Sequence, residues 1–124
     1  MPDPTLCQPP RAVIKPPTLV VPPLSCDCHA HVLGPPSRYP YVANRSYTPP
    51  DALPSDYLRM LGVLGMERMV VVQASCYGED NRRTIDAVQE LGVHRARGVV
   101  MVGANVAERD LEVDLMREVS RNKW

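Results

Sequence analysis

The sequence contains no phenylalanine, and none of its 14 prolines lies after Pro54. It also has no charge excess, because 14 basic side chains balance 14 acidic ones. This balance argues against binding to nucleic acid or an anionic membrane, which needs a basic surplus. No apolar run approaches the roughly 20 residues of a membrane-spanning helix. Since the N-terminus also lacks the basic and apolar segments of a secretory signal, we expect a soluble, cytoplasmic protein.

Proline divides the chain into two parts. Eight prolines fall within residues 1–23, six of them as Pro-Pro pairs, and such a composition is typical of extended segments with little packing. We therefore predict a Pro-rich disordered leader over 1–23 and an ordered domain over 24–124. The four cysteines are too few and too irregularly spaced for a disulfide scaffold.

The ordered part predicts an alternation of strands and helices. Continuous or alternating apolar runs of strand length occupy residues 24–32, 67–74 and 98–102. Apolar positions with helical spacing follow each strand, over 55–64, 81–91 and 107–121. Ser55 and Asp80 are the predicted N-caps of the first two helices, Gly65 and Gly92 their stops, and Arg82 is expected to pair with Asp86. A repeat of this kind indicates an α/β fold with a parallel sheet.

Three such units do not complete a parallel sheet. They leave both edges open and part of one face uncovered, whereas parallel sheets occur almost only with both faces buried. The chain also ends inside the third predicted helix, at Trp124. We therefore predict the N-terminal portion, about three βα units, of a (β/α)₈ TIM barrel, a fold of about 250 residues.

The segment DCHAH at residues 27–31 carries the chemistry. On a strand its side chains alternate, so that Asp27, His29 and His31 share one face while Cys28 and Ala30 share the other. Active sites of α/β sheets and barrels lie at the C-terminal ends of their strands. Two imidazoles there can reach one metal ion or one substrate carbonyl. Such a short motif is also compatible with surface or packing histidines.

Further blocks carry a resemblance to a known family. The stretch CDCHAHVLGP, followed by RYPY, RSYTPPDA and MVVVQASCYGEDN, resembles the amidohydrolase-related family of TIM-barrel hydrolases, and within it the lactonases of pyrone dicarboxylates. The resemblance implies that His29 and His31 are catalytic, by contacting substrate directly or by binding a divalent ion such as Zn²⁺. It also implies that Tyr47 and Ser75 bind substrate, Ser75 at a position where the family usually has threonine. Metal-independent catalysis stays open.

We thus expect a hydrolase that opens the lactone ring of a pyrone dicarboxylate-like aromatic breakdown product by water attack on the carbonyl. The expected partner is a small dicarboxylate or lactone, with no nucleic acid and no membrane. The family's later-strand histidines, carboxylate-binding arginines and catalytic aspartate would lie beyond Trp124. The alternatives are a family decarboxylase or hydratase, and a catalytically inactive truncated fragment. Gln73 is expected either to line the pocket or to hydrogen-bond a neighbouring strand end.

Overall fold

The computed structural model describes residues 4–111 and shows a mixed α/β fold with two parallel sheets. The elements in chain order are β1 (Thr5–Leu6), β2 (Cys26–Ala30), β3 (Tyr47–Thr48), α1 (Pro54–Leu64), β4 (Arg68–Val72), a 3₁₀ turn (Ser75–Tyr77), α2 (Arg82–Leu91), β5 (Ala96–Val99) and α3 (Glu108–Leu111). β2, β4 and β5 form one sheet in that order, and β1 pairs with β3 in the other. No described helix is long and apolar enough to span a bilayer.

β4 is the central strand of the larger sheet because it is apolar on both faces. Met69 and Val71 are buried in the main core, and β5 pairs with β4 in parallel register from Ala96 opposite Met69 onward. β5 therefore begins two residues before the predicted strand at 98–102. Pairing with β4 sets the bounds of β5. The charged residue Arg97 interrupts the apolar run, so the sequence pattern does not indicate that the strand begins at Ala96.

α1 begins one residue before its predicted cap. Pro54 is its first residue, and the Asp56 carboxylate accepts a hydrogen bond from the Leu53 N–H at 3.0 Å. The prediction of Ser55 as N-cap is therefore wrong, because proline is well suited to the first helical position and Asp56 supplies the acceptor. Gly65 ends the helix as predicted, with a left-handed φ of 75°.

α2 begins one residue later than predicted, and the prediction of Asp80 as its N-cap is wrong. Asn81 occupies the cap position, while the Asp80 carboxylate accepts a hydrogen bond from the Arg82 N–H at 3.2 Å. The Arg82 side chain also binds Asp80, at 2.6 Å, and this lowers the pKa of the Asp80 carboxyl below its ordinary value. The predicted pair between Arg82 and Asp86 is wrong, because Asp86 binds Arg38 at 3.1 Å.

Two apolar clusters hold the described domain together. The main core lies between the sheet and the two longer helices and includes Leu61, Val71 and Leu91. A second cluster packs beyond the C-terminal end of β4 and contains Tyr39, Ala74, Cys76 and Tyr77. Tyrosine thus supplies the aromatic surface in a chain without phenylalanine.

Residues 4–23, part of the predicted leader, make defined contacts with the domain. β1 pairs with β3, and the Arg59 side chain on α1 donates hydrogen bonds to the carbonyls of Arg11, at 3.2 Å, and Ala12, at 2.7 Å. An extended segment has no internal backbone hydrogen bonds, so its carbonyls are open to such donors. The boundary at residue 23 stays a prediction. Of the helix predicted over 107–121, the described residues contain Glu108–Leu111, and the remainder lies outside them.

Candidate active site

The two histidines of the DCHAH segment lie side by side at the C-terminal end of β2. The ring centroids of His29 and His31 are 5.3 Å apart with an interplanar angle of 83°. The pairing of β2 with β4 shifts register between Asp27 and Ala30, so strict alternation does not hold through the segment. Asp27 is absent from the cavity that both histidines line, and its carboxylate accepts a hydrogen bond from the His29 backbone N–H at 3.2 Å.

The ring of His31 is oriented by the end of the neighbouring strand. Its Nδ1 lies 2.8 Å from the carbonyl oxygen of Val72, the last residue of β4. A carbonyl oxygen only accepts, so Nδ1 must carry the proton and donate. This leaves Nε2 as the atom for chemistry: a lone pair in the neutral ring, an N–H donor in the charged one.

Tyr47 and Ser75 approach each other from different parts of the chain. The Ser75 hydroxyl lies 3.5 Å from the Tyr47 hydroxyl, a long contact in which both groups keep hydrogen-bonding capacity for a third partner. Burial raises the pKa of the Tyr47 phenol above its ordinary value of 10.0. The phenol is therefore a neutral donor at any ordinary working pH.

The long connection before α1 is held against the sheet by backbone hydrogen bonds, and this positions Tyr47. Leu33 and Ala52 exchange two backbone hydrogen bonds of 2.9 Å, and the Val42 N–H donates to the Cys76 carbonyl at 2.8 Å. The Tyr77 hydroxyl accepts a hydrogen bond from the Gly34 N–H at 2.8 Å. The connection between β2 and α1, residues 31–53, is thus held against the C-terminal ends of β2 and β4.

One open cavity of about 800 Å³ brings all four predicted site residues together. Its described lining carries no Asp, Glu, Lys or Arg side chain. The polar side chains are supplied by Gln8, His29, His31, Tyr47, Gln73 and Ser75, with the Cys7 thiol beside them.

Gln73 lines this cavity, but its side-chain amide binds protein groups. Nε2 donates to the carbonyls of Gly78, at 2.9 Å, and Asp80, at 3.0 Å, while Oε1 accepts from the Thr84 hydroxyl at 2.5 Å. Gln73 therefore fixes the turn that carries Ser75. Cys76, next to Ser75, is buried, and burial raises the pKa of its thiol, so it is a poor nucleophile.

Sequence reasoning missed one side of the cavity. Residues 7–10 line it together with the histidines, although they fall in the predicted disordered leader. Their composition contains no signal for this role, because the contacts depend on pairing between β1 and the distant β3.

The described residues do not form a complete metal site. A catalytic zinc ion needs three protein ligands and an open position. Among residues 4–111, no group of three or more His, Cys, Asp or Glu side chains could hold an ion. His29 and His31 supply two donors at most, so a bound ion would need further ligands from outside residues 4–111.

Comparisons with known proteins show which proteins this chain resembles. Over 83 residues the chain is 45% identical to a 4-sulfomuconolactone hydrolase from Hydrogenophaga intermedia, covering 67% of this chain and 27% of that protein. It is 38% identical over 96 residues to a 2-pyrone-4,6-dicarboxylate hydrolase from Comamonas testosteroni, covering 77% and 31%. A D-galactarolactone isomerase from Agrobacterium fabrum is 34% identical over 88 residues, covering 69% and 29%.

A solved structure has the same fold as the chain. An apo crystal structure from Agrobacterium tumefaciens superposes with a TM-score of 0.66 and 30% identity, covering 81% of this chain and 33% of that one. The chain thus spans less than a third of the length of the curated relatives described above. The amidohydrolase family model matches residues 26–119, three quarters of the chain, and the resemblance noted in the sequence is confirmed. The chain belongs to the amidohydrolase family.

Proposed function

We propose that this chain is the N-terminal part, about three βα units, of a cytoplasmic (β/α)₈ barrel hydrolase that opens a lactone ring bearing acidic substituents. Three parallel strands adjacent in chain order, with α1 and α2 as crossovers, support the barrel. The Agrobacterium tumefaciens structure, three times as long as its matched part, also supports it. Two relatives are lactone hydrolases named for substrates that carry sulfo or carboxylate groups.

The observation that carries the proposal is the set of groups around one cavity. His29 and His31 stand at the strand ends, with Tyr47 and Ser75 lining the same space. Imidazoles suit a carbonyl on which charge develops, and hydroxyl donors suit the oxygens of an acidic substituent.

In the proposed reaction, water attacks the lactone carbonyl carbon, and negative charge builds on the carbonyl oxygen. In its charged form His31 donates to that oxygen from Nε2, while Nδ1 keeps its hydrogen bond to Val72. The ring C–O bond then breaks, leaving a carboxylate and a hydroxyl group. His29, edge-on to His31, provides a second contact to the same oxygen.

The attacking water also needs a proton acceptor. Both imidazoles of the described lining are assigned to the carbonyl oxygen, and that lining carries no carboxylate, so we assign this general base to a part of the protein outside residues 4–111. General-base catalysis contributes about 10²–10⁴ in rate. Tyr47 and Ser75 donate to an acidic substituent and hold the ring in place.

The test uses the whole protein that contains this chain, assayed on 4-sulfomuconolactone and 2-pyrone-4,6-dicarboxylate with and without chelator. We expect His29→Ala and His31→Ala each to lower kcat by about 10²–10³. His31→Gln, a neutral donor, should recover about tenfold of the loss if His31 polarises the carbonyl. The third histidine, His94, is exposed and outside the cavity, so His94→Ala is the matched control. Failure of the wild type to act on either compound would refute the lactonase proposal.

Product analysis separates the remaining candidates. The similarity to a D-galactarolactone isomerase favours lactone isomerisation as a second candidate, in which the product has the mass of the substrate. Hydrolysis adds one water. Release of carbon dioxide would instead support the decarboxylase alternative.

A further inference from the structure

Residues 7–10 of the N-terminal segment lie beside the candidate catalytic groups. They line the same cavity as His29, His31, Tyr47 and Ser75. No part of the proposed mechanism above uses them. The segment is also held in place on both sides of residues 7–10.

On the N-terminal side, β1 is hydrogen-bonded to the strand that carries Tyr47. The Thr5 N–H donates to the Ser46 carbonyl at 3.3 Å, and the Cys7 N–H donates to the Thr48 carbonyl at 3.1 Å. On the C-terminal side, Arg59 binds the carbonyls of Arg11 and Ala12. The three residues between these anchors, 8–10, are thereby held along the cavity.

Among residues 8–10, only the Gln8 side chain can form hydrogen bonds. Pro9 and Pro10 have fixed φ angles and no N–H, so they provide a stiff apolar surface without backbone donors. Gln8 lines the cavity and is exposed, and none of the described residues accepts or donates a hydrogen bond to its side chain. Its amide N–H groups are open to a ligand in the cavity.

We propose that residues 7–10 form a wall of the substrate cavity and that Gln8 is a specificity-determining residue, donating from its side-chain amide to the carboxylate or sulfonate of the substrate. This assignment rests on the proposed function. Among the described residues no Lys or Arg side chain lines this cavity, and both imidazoles are assigned to the carbonyl oxygen, so recognition of an acidic group on this side depends on neutral donors. Gln8, Tyr47 and Ser75 are those donors.

The test introduces a like charge at this wall. In the whole protein that contains this chain, Gln8→Glu places a carboxylate where the described lining has none, and Gln8→Ala removes the donor. Thr18→Glu is the matched control, since Thr18 is exposed in the same segment but lines no cavity described here. The probes are a lactone carrying a ring carboxylate and its methyl ester, followed by turnover and by calorimetric binding.

We expect Gln8→Glu to raise KM and Kd for the acid-bearing lactone about tenfold, from repulsion between two like charges at short range. Gln8→Ala should raise them about threefold. The kcat of both Gln8 variants should stay within about twofold of wild type, and so should their KM and Kd for the methyl ester. For Thr18→Glu, kcat, KM and Kd should stay within about twofold for both compounds. Unchanged thermal unfolding midpoints verify folding.

Two results would overturn the assignment of Gln8. One is an unchanged KM and Kd for the acid-bearing lactone in Gln8→Glu; the other is an equal rise for acid and ester. A wild type that binds the acid-bearing lactone without opening it refutes the proposed function alone, because the binding comparison still tests Gln8. A wild type that neither binds nor opens it refutes both.

Discussion

At the scale of single residues, hydrogen bonds to the protein determine which polar atoms of the site stay available to a ligand. Val72 binds Nδ1 of His31 and so leaves Nε2 for the substrate. Gln73 uses its whole amide to hold the turn after β4, which places Ser75. The groups that orient His31 and the turn carrying Ser75 are thus distinct from the cavity-lining groups that they hold.

Tyr47 offers a test of substrate binding and its pH dependence. Tyr47→Phe removes one neutral hydrogen bond, so we expect KM to rise about 2–10-fold with kcat within about twofold. Burial raises the pKa of the phenol above 10.0, so the donor is lost only when pH rises past that raised value. The KM ratio of variant to wild type should therefore stay constant between about pH 7 and 9.5.

The control for this substitution is Tyr41→Phe. Tyr41 belongs to the same loop and donates to the Pro49 carbonyl at 3.3 Å, but it does not line the cavity. A KM ratio for Tyr47→Phe that collapses to one between pH 7 and 9.5 would contradict a neutral phenol in the bound state.

At the scale of elements, two glycines in and just after α1 should respond oppositely to substitution by alanine. Gly65 adopts φ 75° at the helix end, where a side chain is strained, whereas Gly62 lies inside the helix and a Cβ there meets nothing within 4 Å. We expect Gly65→Ala to lower the free energy of unfolding by about 1 kcal/mol and Gly62→Ala to raise it by about 0.5–1 kcal/mol. Urea unfolding of the whole protein that contains this chain measures both changes, and equal signs would contradict the assigned helix end.

The order of β2, α1, β4, α2 and β5 was predictable from the sequence because apolar periodicity reports burial, whereas the two-residue strands β1 and β3 were not predicted. The first residue of α1 was not predictable, because Pro54, Ser55 and Asp56 are all residue types that favour a helix N-terminus. His29, His31 and Ser75 line one cavity because strand ends in a parallel sheet meet at one edge. From β3, and through the connection that is hydrogen-bonded against the sheet, Tyr47 reaches the same cavity. Residues 7–10 could not be assigned to it, because their position depends on pairing across some 40 residues of chain.

At the scale of the whole molecule, the described sheet has two open edges, at β2 and β5. Val99, Met101 and Val102 are large apolar residues exposed at 49%, 42% and 43% in and after β5. Open strand edges with apolar side chains favour association between chains. In the proposed barrel, further strands would cover them.

We therefore expect the 124-residue chain, expressed by itself, to associate as its concentration rises in sedimentation velocity experiments. Val99→Lys should weaken this association, since a charge on an edge strand opposes pairing. Val20→Lys, at a site 91% exposed outside the sheet, should leave it unchanged. A compact monomer at every concentration would contradict an association-prone edge.

All described residues that line the candidate site lie between Cys7 and Ser75 in one uninterrupted stretch of chain. If the proposed function holds, the residues that determine substrate preference on this side of the cavity are inherited together as one segment of the gene. Exchanging that block between two relatives by recombination would transfer the wall, the imidazole pair and the hydroxyl pair in one event, and leave the rest of each enzyme intact.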